Sequence, residues 1–151
     1  RYGLSSTMRR ASEMKHIKKI FQVGTRGIGS GHSKDYKDAL DWGVKFFTAE
    51  KVHSLGTDKI IENINDGSDV IVCIDIDSMD PSITPNTIGR VPGGLTYFQV
   101  LSLIKDTANK ANITAIDFVE IMPEVDIDGI GGLTVSRLVA ATMGILARQS
   151  I

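Results

Sequence analysis

Residues 70–74 read Val-Ile-Val-Cys-Ile, an apolar run with no alternation, and that run limits the fold more than any other feature. A strand with one wet face alternates, whereas an unbroken apolar strand is expected to be buried on both faces, as in a parallel sheet covered by helices. The flanking segments agree. Residues 6–15 carry helix formers behind a Ser/Thr cluster suited to capping. Residues 17–23 read as a short buried strand, ended by Gly24 and by Gly27-Ile28-Gly29. Residues 33–42 have helical character and close at Gly43, residues 45–48 form a short strand, and Thr57-Asp58 opens a helix over 57–65. Thr96 caps a further helix, in which Tyr97, Val100, Leu101, Ile104, Ala108 and Ala111 follow a 3.6-residue spacing. Residues 113–119 are the next strand. Residues 133–147 form a final helix, apolar over most of its surface and expected to be well buried. Strands and helices in alternation predict a three-layer αβα fold with a mainly parallel sheet. No repeat or linker divides the chain, so residues 1–151 are expected to form a single α/β domain.

The chemistry concentrates just after the apolar run, in Asp75-Ile76-Asp77-Ser78-Met79-Asp80-Pro81. Residues two apart on a strand point the same way, so Asp75 and Asp77 share a side. They stand at the carboxyl end of the strand, where open parallel sheets place their ligand crevices. Two such carboxylates repel unless a positive charge lies between them. Hard oxygen ligands favour Mg²⁺, Mn²⁺ or Ca²⁺. The alternative is an Asp-rich turn in which Asp80-Pro81 merely ends the strand. The aperiodic stretch 85–96 reads as a functional loop over the strand ends. One strand later, Glu120 lies at another carboxyl edge. The strands ending at Asp75 and Glu120 are expected to be neighbours opening into one crevice, with Glu120 holding a cationic substrate.

Several function classes are disfavoured. Lys and Arg number 17 against 18 Asp and Glu, a net charge of −1, which offers no footprint for nucleic acid or an anionic membrane. The longest unbroken apolar runs are too short to span a bilayer, and no leader-like segment opens the sequence. The chain opens at Arg1, without an initiator methionine. The single cysteine, Cys73, excludes an internal disulfide and fits a reducing compartment, so a cytoplasmic protein is expected. Its place in the apolar run makes it a buried structural thiol. Asp126-Ile127-Asp128-Gly129 opens like a Ca²⁺ loop but lacks the glutamate at the twelfth position and reads as an ordinary turn.

Three segments resemble the ureohydrolase family of agmatinases, arginases, guanidinobutyrases and formiminoglutamases. Cys73-Ile74-Asp75-Ile76-Asp77-Ser78-Met79-Asp80-Pro81 matches its [SC]-x-D-[IV]-D-x-x-D-P motif. Gly93-Gly94-Leu95-Thr96 matches G-G-L-T, and Asp117-Phe118-Val119-Glu120-Ile121-Met122-Pro123 matches [DM]-x-V-E-x-x-P. Upstream, Gln22-Val23-Gly24-Thr25-Arg26-Gly27 resembles the strand and turn that precede this half. The resemblance implies the C-terminal half of an arginase/deacetylase-like domain, incomplete as a fold. It also implies two Mn²⁺ ions, with Asp75 bridging them and Asp77 binding one, and a bridging water made nucleophilic near neutral pH. Glu120 and Thr87 would contact a small guanidino substrate, Glu120 by pairing with the planar guanidinium, and urea and an amine would result. Family members are commonly homo-oligomers, and the same is expected here.

The sequence departs from the family in three places. The family's G-G-x-H-S and D-A-H-x-D, which supply the remaining metal ligands, are absent from these 151 residues. Gly31-His32-Ser33 is only a fragment of the first, so His32 is read as a loop histidine, and His16 and His53 also lack ligand spacing. At the start, Arg1 to Arg10 resembles Y-S-H-A-S-x-M-R-R with Leu4 in the place of the proton-relay histidine, and leucine relays no proton. Finally, P-G-T-G-T-P appears as Pro85-Asn86-Thr87-Ile88-Gly89-Arg90, where Arg90 adds a positive charge that disfavours a dicationic substrate such as agmatine. Two other readings compete. One is a non-catalytic ureohydrolase-like binding protein. The other is a Mg²⁺-dependent D-x-D phosphatase of the haloacid dehalogenase type, against which stand the midway position of the motif and the lack of a suitable downstream lysine loop.

Overall fold

The structure, a computed structural model, describes residue 3, residues 6–29 and residues 31–149. Its elements run α1 (Thr7–Ser12), β1 (Phe21–Thr25), α2 (Ser33–Trp42), β2 (Lys45–Thr48), α3 (Ala49–Leu55), α4 (Asp58–Ile61), β3 (Asp69–Asp75), α5 (Tyr97–Lys110), β4 (Asn112–Val119) and α6 (Ile130–Gln149), with 3-10 turns at Ile76–Ser78 and Pro123–Val125. All strand pairing is parallel, β1 with β2 and β3 with β4. An isolated bridge joins Met79 to Leu95.

Local chemistry sets most of these boundaries. Gly43 takes a left-handed φ of 102° at the end of α2, as helix C-termini favour. Thr96 accepts from the Gln99 amide while Gln99 answers to the Thr96 amide, a reciprocal capping box at the start of α5. Three segments differ from the sequence expectation. The strand expected over 17–23 begins only at Phe21, where pairing with Lys45 starts; the preceding turn is closed by the Lys18 ammonium on the Lys15 carbonyl. The first helix stops at Ser12. The helix expected over 57–65 has four residues, because Thr57 gives no side-chain cap and Asn63 folds back onto the Lys59 carbonyl. The sequence reading missed α3 altogether.

The core gathers Ala49, Val52, Ile60, Met79, Leu95, Val100, Ile104, Ile113 and Leu138. Against it pack Val72 and Ile74 of β3 and Ile116 and Phe118 of β4. These pairs are in register, Val72 with Ile116 and Ile74 with Phe118, so one face of the sheet is covered by the helical layer of α5 and α6. The other face carries Ile71, Cys73, Ala115, Asp117 and Val119, all exposed. Burial on both faces, inferred from the apolar run, is therefore not realised within these residues. The chain forms an incomplete αβα fold, with one helical layer on this sheet. The same cause overturns two further expectations. Cys73 is exposed rather than buried, because it points to the uncovered face. In α6 only Gly131, Val135, Leu138 and Thr142 are buried, while Leu133 and Met143 are 51% and 67% exposed. This 20-residue helix contains an 18-residue window with a mean hydropathy of 1.6, long and apolar enough to cross a membrane by length and composition. In this fold it packs against α5 instead.

Candidate metal and substrate site

β3 ends on Asp75, and the chain turns at once through Ile76–Ser78, pinned by the fully buried Ile76. Asp77 therefore sits in a turn, not on the strand as expected. The turn still brings the two acids together, since the Asp77 amide donates to Asp75 Oδ1 at 3.2 Å. Burial pushes the Asp75 carboxyl up to about 6, and the negative charges of Asp77 and, more weakly, Glu120 add to the shift.

Glu120 follows directly on β4, whose last residue, Val119, lies opposite Asp75. The expectation that the strands ending at Asp75 and Glu120 are neighbours is met, and both acids open at the same sheet end. Glu120 has a φ of 63°, a left-handed conformation that costs a non-glycine residue about 1–2 kcal/mol. Two residues on, the Met122 amide donates to the Asn86 carbonyl at 2.8 Å, tying this segment to the loop over the strand ends.

That loop is the other wall. Asn86 and Thr87 are buried, and their side-chain polar atoms find no hydrogen-bond partner in the protein. Thr87, a residue expected to touch substrate, thus lies beneath the loop surface. Gly89 presses on Asp77 so closely that a Cβ there would collide with its carboxylate. Arg90 is exposed and reaches across, donating from Nε to the Thr87 carbonyl at 3.2 Å and from Nη2 to the Val125 carbonyl at 2.8 Å. Asp80 is part of the frame: it accepts from Ser82 Oγ and from the amides of Ser82, Gly93 and Gly94. These bonds hold its carboxyl down at about 2. Asp126 caps α6 by accepting from the amides of Ile127, Gly131 and Gly132, so the turn reading of that segment fits its role here.

The donor set suits a hard divalent cation in part. Asp75 and Asp77 offer adjacent carboxylates, and burial together with the Asp77 charge raises the Asp75 carboxyl. Among the described residues no group of three His, Cys, Asp or Glu could hold a metal. The His53 ring meets the Gly94 carbonyl and Gln99, and the His32 backbone amide donates to Asp35 at the start of α2. Leu4, in the place of the family's relay histidine, lies outside the described residues. Sequence reasoning passed over Gly89, Asn86 and the Arg26 side chain, because their roles depend on segments far along the chain.

Comparison with known proteins places this geometry. The model of the arginase family matches residues 1–144. N(1)-aminopropylagmatine ureohydrolase of Thermus thermophilus is 32% identical over 133 residues, covering 87% of this chain and 43% of that protein. Mitochondrial arginase of Medicago truncatula is 32% identical over 143 residues, covering 91% of this chain and 40% of that one. In structure, proclavaminate amidino hydrolase from Streptomyces clavuligerus superposes with a TM-score of 0.85 at 31% identity, over 99% of this chain and 50% of its own. The chain thus spans about half the length, or less, of these relatives. The stretch matched by the family model contains Asp75, Asp77 and Glu120. On these grounds the chain belongs to the arginase family.

Proposed function

We propose that this chain carries the substrate-holding half of a binuclear-manganese hydrolase that releases urea from a guanidino compound bearing a carboxylate at its far end. The observation that carries the reading is the convergence of Asp75, Asp77 and Glu120 at the carboxyl ends of two adjacent parallel strands. Bound manganese supplies a water acidic enough to act as a nucleophile near neutral pH. Asp75 and Asp77 would hold that metal in part, and further ligands would be needed to complete its coordination. Glu120 receives the guanidinium through paired charge-assisted hydrogen bonds, and its constrained backbone fixes the direction of approach. With the metal in place, the chemistry it would supply is a hydroxide for the guanidinium carbon held by Glu120; cleavage of the C–N bond would leave urea and the amine. The amine must take up a proton, and Leu4 cannot provide it. The exposed Arg90 guanidinium favours a substrate whose far end is anionic.

The test is urea release by the full-length protein with Mn²⁺. We expect guanidinobutyrate to be turned over better than agmatine, and Glu120→Gln to lose most of kcat/KM, at least about 10²-fold. Asp75→Ala and Asp77→Ala should each lower the Mn²⁺ content, and unchanged metal in both would sink the ligand assignment. A second reading, a non-catalytic binding protein, has one observation in its favour, the absence of a complete metal-ligand group among the described residues. A fully metallated full-length protein with no turnover would support it.

A further inference from the structure

Arg26 stands just beyond β1 and is half-buried, yet no carboxylate pairs with it among the described residues. Its guanidinium is instead ringed by backbone carbonyls. Nη2 donates to Asp77 O at 2.8 Å, to Met79 O at 3.1 Å and to Val91 O at 2.6 Å. Nη1 reaches Ser78 O at 3.4 Å and Gly24 O at 3.3 Å, and Nε donates to Val91 O at 3.0 Å. A guanidinium has five N–H groups in a rigid fork, and here every nitrogen is engaged. Three of the five carbonyls belong to consecutive residues, Asp77, Ser78 and Met79, the stretch that presents the Asp77 carboxylate. A fourth, Val91, belongs to the loop whose Gly89 presses on that carboxylate. One cation therefore joins β1, the turn after β3 and the covering loop at the point where they meet.

Resting on the metal reading above, we propose that Arg26 is the positioning residue of the Asp77 turn, and that its guanidinium sets the affinity of the site for a divalent metal. It touches neither metal nor substrate and acts only through the Asp77 backbone. A cation gripping the carbonyls of residues 77–79 stops the turn from rotating. The Asp77 carboxylate is then held ready between its own backbone and Gly89. Lysine would keep the charge but has three donors on a point-like head, too few to span five carbonyls.

The test uses the full-length protein with Arg26→Met and Arg26→Lys, and two readouts. In metal-free protein, hydrogen exchange is followed at the Asp80 and Leu95 amides, which bond to Leu95 O and Ser78 O. We expect faster exchange at both in Arg26→Met, with the β3–β4 amides unchanged. Mn²⁺ affinity is measured by titration followed by electron paramagnetic resonance. Loss of a group that orients a ligand typically weakens metal binding about 10–100-fold, and that loss is expected for Arg26→Met, with Arg26→Lys intermediate. A lowered melting temperature with the parent's Mn²⁺ affinity would make Arg26 merely structural and overturn the inference. If Arg26→Met does not fold, Arg26→Lys carries the test, and an affinity and exchange equal to the parent's overturns it. A parent protein that binds no Mn²⁺ overturns the metal reading and this inference together, whereas a parent that binds while the variants match it overturns this inference alone.

Discussion

Asp75 and Asp80 are five residues apart, and their surroundings move their acidities in opposite directions. Burial and two neighbouring acids push Asp75 up to about 6. Between an unfolded value near 4 and that folded value, the native state holds the extra proton. Stability from this group is therefore present at about pH 4, falls as pH rises, and is fully lost above about 6. Asp75→Asn removes the penalty. With chelator present, the variant and the parent should unfold alike at pH 4, and the variant should be more stable at pH 7 by about 1–2 kcal/mol, allowing for solvent screening. Denaturant melts at the two pH values check this, and a gap independent of pH would contradict it. Asp80 shows the reverse. Four donated hydrogen bonds hold it ionised down to about pH 2, so it stabilises the fold at every ordinary pH. The D-x-D-x-x-D spacing alone could not separate these roles. The alternation rule put Asp75 and Asp77 together, but only the turn at 76–78 explains how they meet.

At the scale of elements, the sequence was legible wherever one local interaction decides the outcome. The capping box at Thr96, Gly43 after α2 and the apolar β3 all lie where expected. α3 was hidden because β2 runs straight into it, with Thr48 as both the last strand residue and the helix cap, its Oγ1 accepting from the Lys51 amide. The burial of β3 and α6 was over-read, because an apolar run records what a complete fold covers, whichever part of the chain supplies the cover. The loop over the strand ends has no period to read, and its order comes from close approach. Gly94 is the clearest case, since a Cβ there would strike the Met79 carbonyl and the Asp80 amide nitrogen. Backbone on both sides leaves nothing soft to yield, and the bridge between Met79 and Leu95 would have to part. Gly94→Ala is expected to cost at least about 1–3 kcal/mol and to lower the denaturation midpoint. An unchanged midpoint would mean that the loop packs more loosely than the structure describes.

At the scale of the whole molecule, the site's incompleteness and the fold's incompleteness have one origin. The uncovered face of the β3–β4 sheet, with Ile71 55% exposed, is continuous with the edge from which Asp75 emerges. The relatives that this chain matches are about twice its length or longer. The family resemblance assigns the other metal ligands to motifs that these 151 residues do not contain. Hydrolysis of a guanidinium needs an activated hydroxide, a carboxylate for the cation and a proton for the departing amine. Glu120 can meet the second need. On the proposed reading Asp75 and Asp77 would meet the first only in part, because hard divalent ions of this kind take about six oxygen or nitrogen donors, and two carboxylates would leave the rest to water. Leu4 cannot meet the third. The 151-residue chain by itself is therefore expected to bind Mn²⁺ weakly or not at all, and to release no urea from agmatine, arginine or guanidinobutyrate. Losing one proton-transfer group typically costs about 10²–10⁴-fold and would leave slow turnover, whereas losing the metal pair removes the nucleophile. The expectation is accordingly zero rather than slow. A urea assay on the chain with added Mn²⁺, beside metal analysis after desalting, decides the matter. Tight stoichiometric metal or measurable turnover would mean that residues within this chain complete the site, and the ligand set would then have to be redrawn around Asp75 and Asp77.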